Sequence, residues 1–153
     1  MIPDRNYARS WVKMFMIRFV PGVLSGSKFT TIRPLPSRPQ DWPKPGDTIV
    51  ARHWSGKPYR SKQQLIMRAK IVRVMRVTIT MDTVVYRNPN WNLEASVQPA
   101  KVRGMTFRQM ITLAHSDGFE GWFDMREWFR EHGGLPFEGM LIEWDPNTIQ
   151  REP

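Results

Sequence analysis

The sequence predicts an α+β fold in which a small, barrel-like β-sheet of about five to seven strands carries two flanking helices in its C-terminal third. Most apolar stretches before residue 87 are short, rich in β-branched and aromatic residues, and separated by Pro and Gly. Helical spacing of apolar residues begins only after residue 105, and one more strand-like run follows it. At 153 residues, the chain is most simply one domain, with its core over residues 11–145.

The N-terminal elements follow from local composition. Residues 11–19 combine aromatic and branched side chains and predict a first strand. Residues 20–25 predict a turn or a one-turn helix closed by Gly26, because glycine accepts the left-handed conformation at a helix end. Residues 30–33 predict a second strand, which ends at Pro34 because proline cannot donate to a strand ladder.

Two loops and a strand come next. Residues 34–46 contain five prolines, too many for a regular element, and predict an ordered or extended loop. The turn sequence Pro45-Gly46-Asp47 then precedes a strand over residues 48–54. Residues 55–62 combine Gly, Pro and basic side chains and predict a solvated loop.

The longest strand candidate covers residues 64–80, where apolar residues alternate with basic ones. The basic side chains would form a stripe on one face. The run is either one long strand or two paired strands divided by a turn near Met75. A short strand is predicted over residues 83–86. Residues 87–104 have little hydrophobic patterning and are interpreted as an insertion of unassigned structure.

The last third of the chain contains the helices. Thr106 is a suitable N-cap for a helix that ends at Asp117-Gly118. Residues 120–132 predict a second, aromatic helix, with Gly133-Gly134 as its end. Residues 137–144 predict the closing strand.

Composition narrows the chemistry. The chain has no cysteine, which excludes disulfides, a thiolate nucleophile and a Cys-based zinc site, and is compatible with a reducing compartment. His53, His115 and His132 lack metal-ligand spacing, and no phosphate-binding or dinucleotide-binding fingerprint is present. We therefore expect no metal and no cofactor. Without a signal-like or membrane-spanning segment, we expect a soluble cytoplasmic protein with no membrane partner.

The net charge of +9 is unevenly distributed. Residues 1–103 hold 19 Lys or Arg and 5 acids, whereas residues 104–153 hold 4 and 9. A basic body with an acidic helical cap would attract phosphate to one surface and exclude it from another, as nucleic-acid binding requires. The alternative is a soluble basic protein without a nucleic-acid partner.

The segment from Gly26 to Arg33 is the strongest functional signal, because it gathers an amine, hydroxyls and a guanidinium within eight residues. Side chains two apart share a face of a strand. Thr31 and Arg33 should therefore point together, with Thr30 pointing the other way. Lys28, on the turn before the strand, could reach Thr31. Such a cluster suits an anionic or polar ligand.

The spacing G-x-K-x-x-T-x-R over residues 26–33, followed by Pro45-Gly46-Asp47 and by Asp117-Gly118-Phe119, resembles the ASCH family of PUA-like domains. The resemblance covers roughly residues 11–145. It implies a small PUA-like β-barrel with flanking helices and a cleft lined by the Lys, Thr, Arg and acidic positions. Members of that family are associated with RNA binding, hydrolysis of N4-acylated cytidines and, in some cases, RNA cleavage.

Carried onto this chain, the resemblance implies catalytic roles for Lys28, Thr31 and Asp117. Thr31 would be the nucleophile, Lys28 would accept its proton, and Asp117 would protonate the departing cytosine amine. Arg33 would orient the ligand and help to keep Lys28 neutral. Each residue also has a structural alternative, such as a solvated loop lysine or a helix-end aspartate.

Further candidates complete the predicted site. Trp42 and Trp54 lie in or beside loops and could stack on a base, as could Trp91, while Trp122, Trp128 and Trp144 have core patterns. Gly26 and Thr30 join Arg33 and these two loop tryptophans as predicted ligand-binding residues. The predicted contacts to a nucleic-acid backbone are Lys57, Arg60, Lys62, Arg68, Lys70, Arg73 and Arg76.

The leading hypothesis is thus an RNA- or nucleotide-binding domain with a cleft formed by Lys28, Thr31 and Arg33. The alternative is an amidohydrolase that acts on an N4-acylated cytidine. A ribonuclease, or a module that binds an acidic protein, ranks lower. The pattern specifies neither RNA over DNA nor an oligomeric state.

Overall fold

A computed structural model of the chain describes residues 7–87 and 103–152. Most of the predicted insertion over residues 87–104, including Trp91, lies outside these ranges. The described residues form seven strands of one sheet and three α-helices. The strands are Ser10–Met14 (β1), Thr30–Pro34 (β2), Thr48–Trp54 (β3), Gln63–Ile79 (β4), Val84–Arg87 (β5), Arg103–Gly104 (β6) and Phe137–Trp144 (β7). The helices are Val20–Ser25 (α1), Phe107–Ser116 (α2) and Trp122–His132 (α3).

The sheet is organised around the long strand β4. The N-terminal part of β4 pairs with β3, and β1 lies parallel to β3. Its C-terminal part pairs with β7 and β5, which in turn pair with β2 and β6. Every pairing except β1 with β3 is antiparallel, so the sheet is mixed. The α+β class is therefore confirmed.

The closed barrel predicted from the sequence is wrong. Among the described residues, no ladder joins β1 to β2, so these strands remain two edges of an open sheet. The physical reason is that β4 changes partners along its length, which separates the β1–β3 pair from the β2–β7 pair. A side chain bridges the edges instead, since Nη2 of Arg33 in β2 donates to the carbonyl of Met14 in β1 at 2.8 Å.

The proposed turn near Met75 is absent, and β4 runs unbroken for 17 residues. The pairing of β4 with β7 shifts register between Ile71 and Arg73, which places an irregularity where the alternation of the sequence fails. Two neighbouring residues, Val72 and Arg73, are both exposed there. A β-bulge commonly produces such a break without ending the strand.

The first strand is shorter than predicted, because β1 ends at Met14 and a single 3-10 turn covers Ile17–Phe19. Phe15, just after β1, and Phe19, at the end of this turn, both enter the core. Asp47 fastens the start of β1. Its carboxylate accepts from the Trp11 indole at 2.8 Å and from two backbone N–H groups.

The helices were predicted well. Thr106 caps α2, with its hydroxyl accepting from the Gln109 amide and the Gln109 side chain accepting from the Thr106 amide. The apolar faces of α2 and α3 pack with the sheet and α1 in one hydrophobic core. No helix within the described ranges is long and apolar enough to cross a bilayer.

Candidate ligand-binding cleft

The position of Lys28 is set by the short connection between α1 and β2. Gly26 closes α1 with φ of 89°, and two residues later Lys28 enters the protein, where only 3% of the residue is exposed. Gly118 makes room for it: a Cβ at residue 118 would lie 2.9 Å from Cδ of Lys28. The turn after α2 therefore packs directly on the lysine stem.

The Lys28 ammonium is enclosed by acceptors from two elements. Nζ donates to the carbonyl of Thr30 at 2.8 Å, to the carbonyl of Asp117, and to Oδ1 of Asp117 at 3.3 Å. It also lies over the rings of Phe15 and Phe19, at 5.7 and 4.8 Å from their centroids. Three acceptors match the three N–H bonds of a charged amine.

Asp117 is the buried partner of this lysine, with 3% of the residue exposed. Its Oδ1 accepts from Lys28 and from the Thr30 hydroxyl at 2.9 Å. The residue follows the last turn of α2, where its own backbone N–H remains bonded to Leu113. Its side chain thus joins the helix end to the start of β2, 89 residues apart in sequence from Lys28.

Thr31 and Arg33 share one face of β2, as the strand period predicts. Nε of Arg33 donates to the Thr31 hydroxyl oxygen at 2.9 Å, while Nη2 binds Met14. The guanidinium also covers the Phe15 ring at 4.7 Å. Arg33 is therefore held in one orientation by contacts to both sheet edges and an aromatic ring.

These four residues line a common cleft of about 190 Å³, which we call the Lys28 cleft. It opens between the edge strands β1 and β2 and the end of α3. Its other walls are largely aromatic and include Phe15, Phe19, Phe119 and Trp128. A small apolar cleft with a few convergent polar groups has the composition of a ligand site for a flat molecule.

Burial shifts the pKa values of the three charged groups in this cleft. Burial lowers the pKa of Lys28, and the nearby Arg33 and Arg18 add to this effect against the attraction of Asp117. Burial likewise raises the pKa of Asp117. Burial also lowers the pKa of Arg33 to about 10. Each charged group is thus moved toward its neutral form, a pattern that is frequent at functional sites.

The arrangement differs from the expected pairing of base and nucleophile. The hydrogen bonds of Lys28 go to Thr30 and Asp117, and none within the described residues goes to Thr31. The Thr31 hydroxyl accepts from Arg33 instead. A general base must lie within hydrogen-bond reach of the proton that it removes. In this conformation Lys28 is not placed to take the Thr31 proton, and that transfer requires a rearrangement.

The remaining predicted ligand-binding residues lie elsewhere. Gly26 packs against the C-terminal segment, near Pro146 and Ile149. Thr30 points to the opposite face of β2 and contacts Ser116. Trp54 stacks at a tilt on Tyr59, and neither it nor Trp42 lines the Lys28 cleft. Trp42 is partly buried against the core.

The predicted basic surface divides into two kinds of residue. Lys57, Arg60 and Lys62 are exposed in the loop between β3 and β4. Arg73 and Arg76 instead pair with acids of β7, Arg73 with Glu143 at 2.6 Å and Arg76 with Glu138 at 3.3 Å. Lys70 is exposed and Arg68 is half-buried.

Several cleft residues were not found from the sequence. Trp128 was assigned to the core, yet it lines the Lys28 cleft, as does His132, which stacks on it with ring centroids 4.1 Å apart. Their spacing of four on a helix was a usable signal, because such residues lie on one face. Phe15 and Phe19 also carried a signal, because residues four apart share one face of the predicted strand, although the 3-10 turn at Ile17–Phe19 was not predicted.

Within the described ranges, no three acidic or histidine side chains meet in a way that could hold a metal ion. Comparisons with protein-family models, curated proteins and solved structures found no significant match to this chain. The resemblance to the ASCH family therefore remains a hypothesis based on its motifs.

Proposed function

We propose that the protein is an RNA- or nucleotide-binding domain and that the Lys28 cleft receives a base. The observation that carries the proposal is the combination of aromatic walls with three buried polar residues and the partly buried Arg33 in one small cleft. Aromatic side chains stack on any base, and polar groups at the edge of the ring fix its orientation. The motif resemblance to ASCH domains is in keeping with this function.

Two atoms in the cleft remain available to a ligand. Among the described residues, Nη1 of Arg33 and Oδ2 of Asp117 have no hydrogen-bond partner, although the other polar atoms of both side chains do. One is a donor and the other an acceptor. Together they suit a ligand edge that presents both an acceptor and a donor, as the edges of nucleobases do.

The exposed basic loop supports a polyanionic ligand. Lys57, Arg60 and Lys62 carry charges that no acid within the described ranges pairs with. Phosphate contacts of this kind release counterions, so that affinity falls as salt rises.

The test is the binding of a fluorescently labelled single-stranded RNA, followed by anisotropy at several salt concentrations. We expect a linear fall of log affinity with log salt. Arg33→Gln should weaken binding about tenfold or more, because a hydrogen bond to a charged group contributes about 1.5–3 kcal/mol. Arg38→Gln is the matched control, since Arg38 is exposed and pairs with Asp41 in the proline-rich loop. The proposal is refuted if the affinity for RNA changes neither with salt concentration nor in the Arg33→Gln variant.

A second candidate function is hydrolysis of N4-acylated cytidine, favoured by the displaced titration of Lys28 and Asp117 beside a hydroxyl. After a rearrangement that brings its amine to the Thr31 hydroxyl, neutral Lys28 would take the hydroxyl proton while the acyl group passes from N4 to the Thr31 oxygen. Protonated Asp117 would donate its proton to the departing amine, water would hydrolyse the ester to release the acid and restore the hydroxyl, and Lys28 would return its proton to Asp117. The assay is release of cytidine from N4-acetylcytidine. Thr31→Val, which keeps the shape and removes the hydroxyl, should abolish it. A folded wild-type protein without turnover excludes this candidate.

A further inference from the structure

A second cleft lies on the other side of β2, between α2 and the sheet, and we call it the α2 cleft. Its volume is about 370 Å³, compared with about 190 Å³ for the Lys28 cleft, and the two share no lining residue. The alternation of β2 explains their separation, because Thr30 points into the α2 cleft while Thr31 points into the other. The volume falls within the range of about 300–1,000 Å³ that small-molecule sites occupy.

The middle of the α2 cleft is apolar. Side chains of Phe29, Met75, Met105 and Leu141 line it, and Tyr86 adds an aromatic surface. These five residues come from five different strands and connections, so the surface is assembled only in the folded protein. It would accept the apolar or aromatic body of a ligand.

The exposed mouth of the cleft is positively charged. Arg73 and Glu143 lie there as an ion pair at 2.6 Å and neutralise each other. Arg108, on α2, is also exposed at the cleft and has no hydrogen-bond or ion-pair partner among the described residues. The mouth therefore carries one uncompensated guanidinium, which is suited to bind a carboxylate or phosphate.

The inner end of the cleft carries two buried hydroxyls. Thr30 donates its proton to Asp117 at 2.9 Å, and Ser116 donates its proton to the Leu113 carbonyl at 2.8 Å. Their oxygens lie 3.3 Å apart with no third proton to share. Each oxygen consequently retains lone pairs that can accept from a ligand N–H or O–H.

From this order of groups we propose that the α2 cleft is a second ligand site, which takes a small organic anion with an apolar, aromatic body and a hydrogen-bond donor at its far end. Arg108 binds the anionic group, the side chains around Met75 and Met105 enclose the body, and the Thr30 and Ser116 hydroxyls accept from the donor. A nucleoside monophosphate with an exocyclic amine has this chemistry. Because the clefts share no residue, the proposal does not depend on the function of the Lys28 cleft.

Methionine methyl groups allow each cleft to be observed separately. Met75 and Met105 line the α2 cleft, whereas Met14 and Met16 line the Lys28 cleft. The experiment is NMR of protein labelled with [methyl-13C]methionine, with resonances assigned by single Met→Leu variants, during titration with adenosine 5′-monophosphate. We expect saturable shifts of the Met75 and Met105 signals. Adenosine alone and inorganic phosphate alone should each bind this cleft at least tenfold more weakly.

Arg108→Gln should weaken the response of Met75 and Met105 about tenfold or more and leave any response of Met14 and Met16 unchanged. This variant is expected to fold, because Arg108 is exposed and its side chain has no hydrogen-bond or ion-pair partner within residues 7–87 and 103–152. Arg130→Gln is the control, since Arg130 is an exposed arginine of α3 that pairs with Glu127 and lines neither cleft. The proposal is wrong if Met75 and Met105 do not respond, if adenosine binds as tightly as its monophosphate, or if Arg108→Gln has no effect.

A competition experiment shows whether the anion that the α2 cleft binds is a free nucleotide or a nucleotide within an RNA strand. A short single-stranded RNA that displaces the monophosphate from the Met75 and Met105 signals assigns the site to a nucleotide within a strand. If the RNA shifts only Met14 and Met16, the site takes a free nucleotide. Shifts confined to Met14 and Met16 with every probe support the proposed function of the Lys28 cleft and refute the second site.

Discussion

Lys28 is removed from water, yet its amine retains acceptors for every proton of the charged form. Desolvation and hydrogen bonding thus shift the pKa of this amine in opposite directions. Burial has the larger effect and lowers the pKa of the amine. Removal of one member of a buried pair costs about 3–5 kcal/mol, because the other remains without compensation. Lys28 is therefore a structural element of the cleft as well as a candidate functional group.

Lys28→Met should reduce the free energy of unfolding by about 3–5 kcal/mol. It should also change the pH dependence. In the wild type, folded Lys28 releases its proton below the unfolded pKa of 10.5, so the unfolded chain binds more protons between the two values. The free energy of unfolding therefore rises with pH through that window, and Lys28→Met lacks this rise.

Urea unfolding across pH measures both effects. Lys70→Met is the control, because Lys70 is an exposed lysine of β4. The unfolding free energy of the Lys70→Met variant should depend on pH in the same way as that of the wild type. If the curves of unfolding free energy against pH were parallel for the wild type and Lys28→Met, burial would not be lowering the pKa of Lys28.

Gly118→Ala should destabilise the protein by about 1–3 kcal/mol, the usual cost of overpacking. Residue 118 has φ of 91°, and a Cβ there would lie 2.9 Å from Lys28 and 3.0 Å from Phe19. Gly121→Ala is the matched control, since Gly121 has extended backbone and nothing within 4 Å of a Cβ. Urea unfolding should give a change within about 0.5 kcal/mol for the control. Equal stabilities of the two variants would contradict the proposed close packing.

At the scale of elements, the two faces of β2 line two different clefts. Thr31 and Arg33 line the Lys28 cleft, while Thr30 lines the α2 cleft and binds Asp117. The period of two, visible in the sequence, separates these side chains. What each face meets depends on other elements, namely the turn after β1 on one side and α2 on the other.

The loop between β3 and β4 should provide the main salt-dependent contacts to RNA. For the double variant Lys57→Gln with Arg60→Gln, we expect the slope of log affinity against log salt to decrease by about 1.4, or about 0.7 per phosphate contact to a single strand. Arg126→Gln with Arg130→Gln removes the same charge from α3, where both arginines pair with Glu127. That control should leave the slope unchanged. A similar effect of both variants would indicate a response to net charge alone.

At the scale of the molecule, the open sheet creates the Lys28 cleft. A ladder between β1 and β2 would fill the space that Arg33 and the aromatic side chains occupy. Arg33 joins the open edges through its hydrogen bond to Met14 and its contact with the Phe15 ring, whereas β4 has strand partners along its whole length. Stability should therefore be lower near the cleft than at the centre of the sheet.

Hydrogen exchange should reveal this gradient. The β4 amides around Val77, which lie between β5 and β7, should exchange slowest, with free energies of opening near the global value. The hydrogen-bonded amides of β1, an edge strand paired only with β3, should exchange at least about tenfold faster. Exchange measured by NMR or mass spectrometry checks this order. Equal protection of β1 and β4 would mean that the edges are joined more firmly than by one side chain.

Strands with clear ends were predictable. The bounds of β3 and β7 agree with the predicted residues 48–54 and 137–144, because turn residues flank branched and aromatic runs on both sides. The end of β1 was missed, because the sequence through Phe19 has the same composition as a strand. Trp128 has a core spacing and packs against the core, but it is only partly buried and also lines the Lys28 cleft.

The sequence by itself determined the order and type of most elements, the shared face of Thr31 and Arg33, and the division between basic and acidic parts of the chain. These properties depend on neighbours within a few residues, where composition and period act directly. Only the tertiary structure decided that the sheet stays open, that Lys28 binds Asp117, and that a second cleft lies behind β2. Each depends on which surfaces meet across long separations, and local propensity carries no information about that choice.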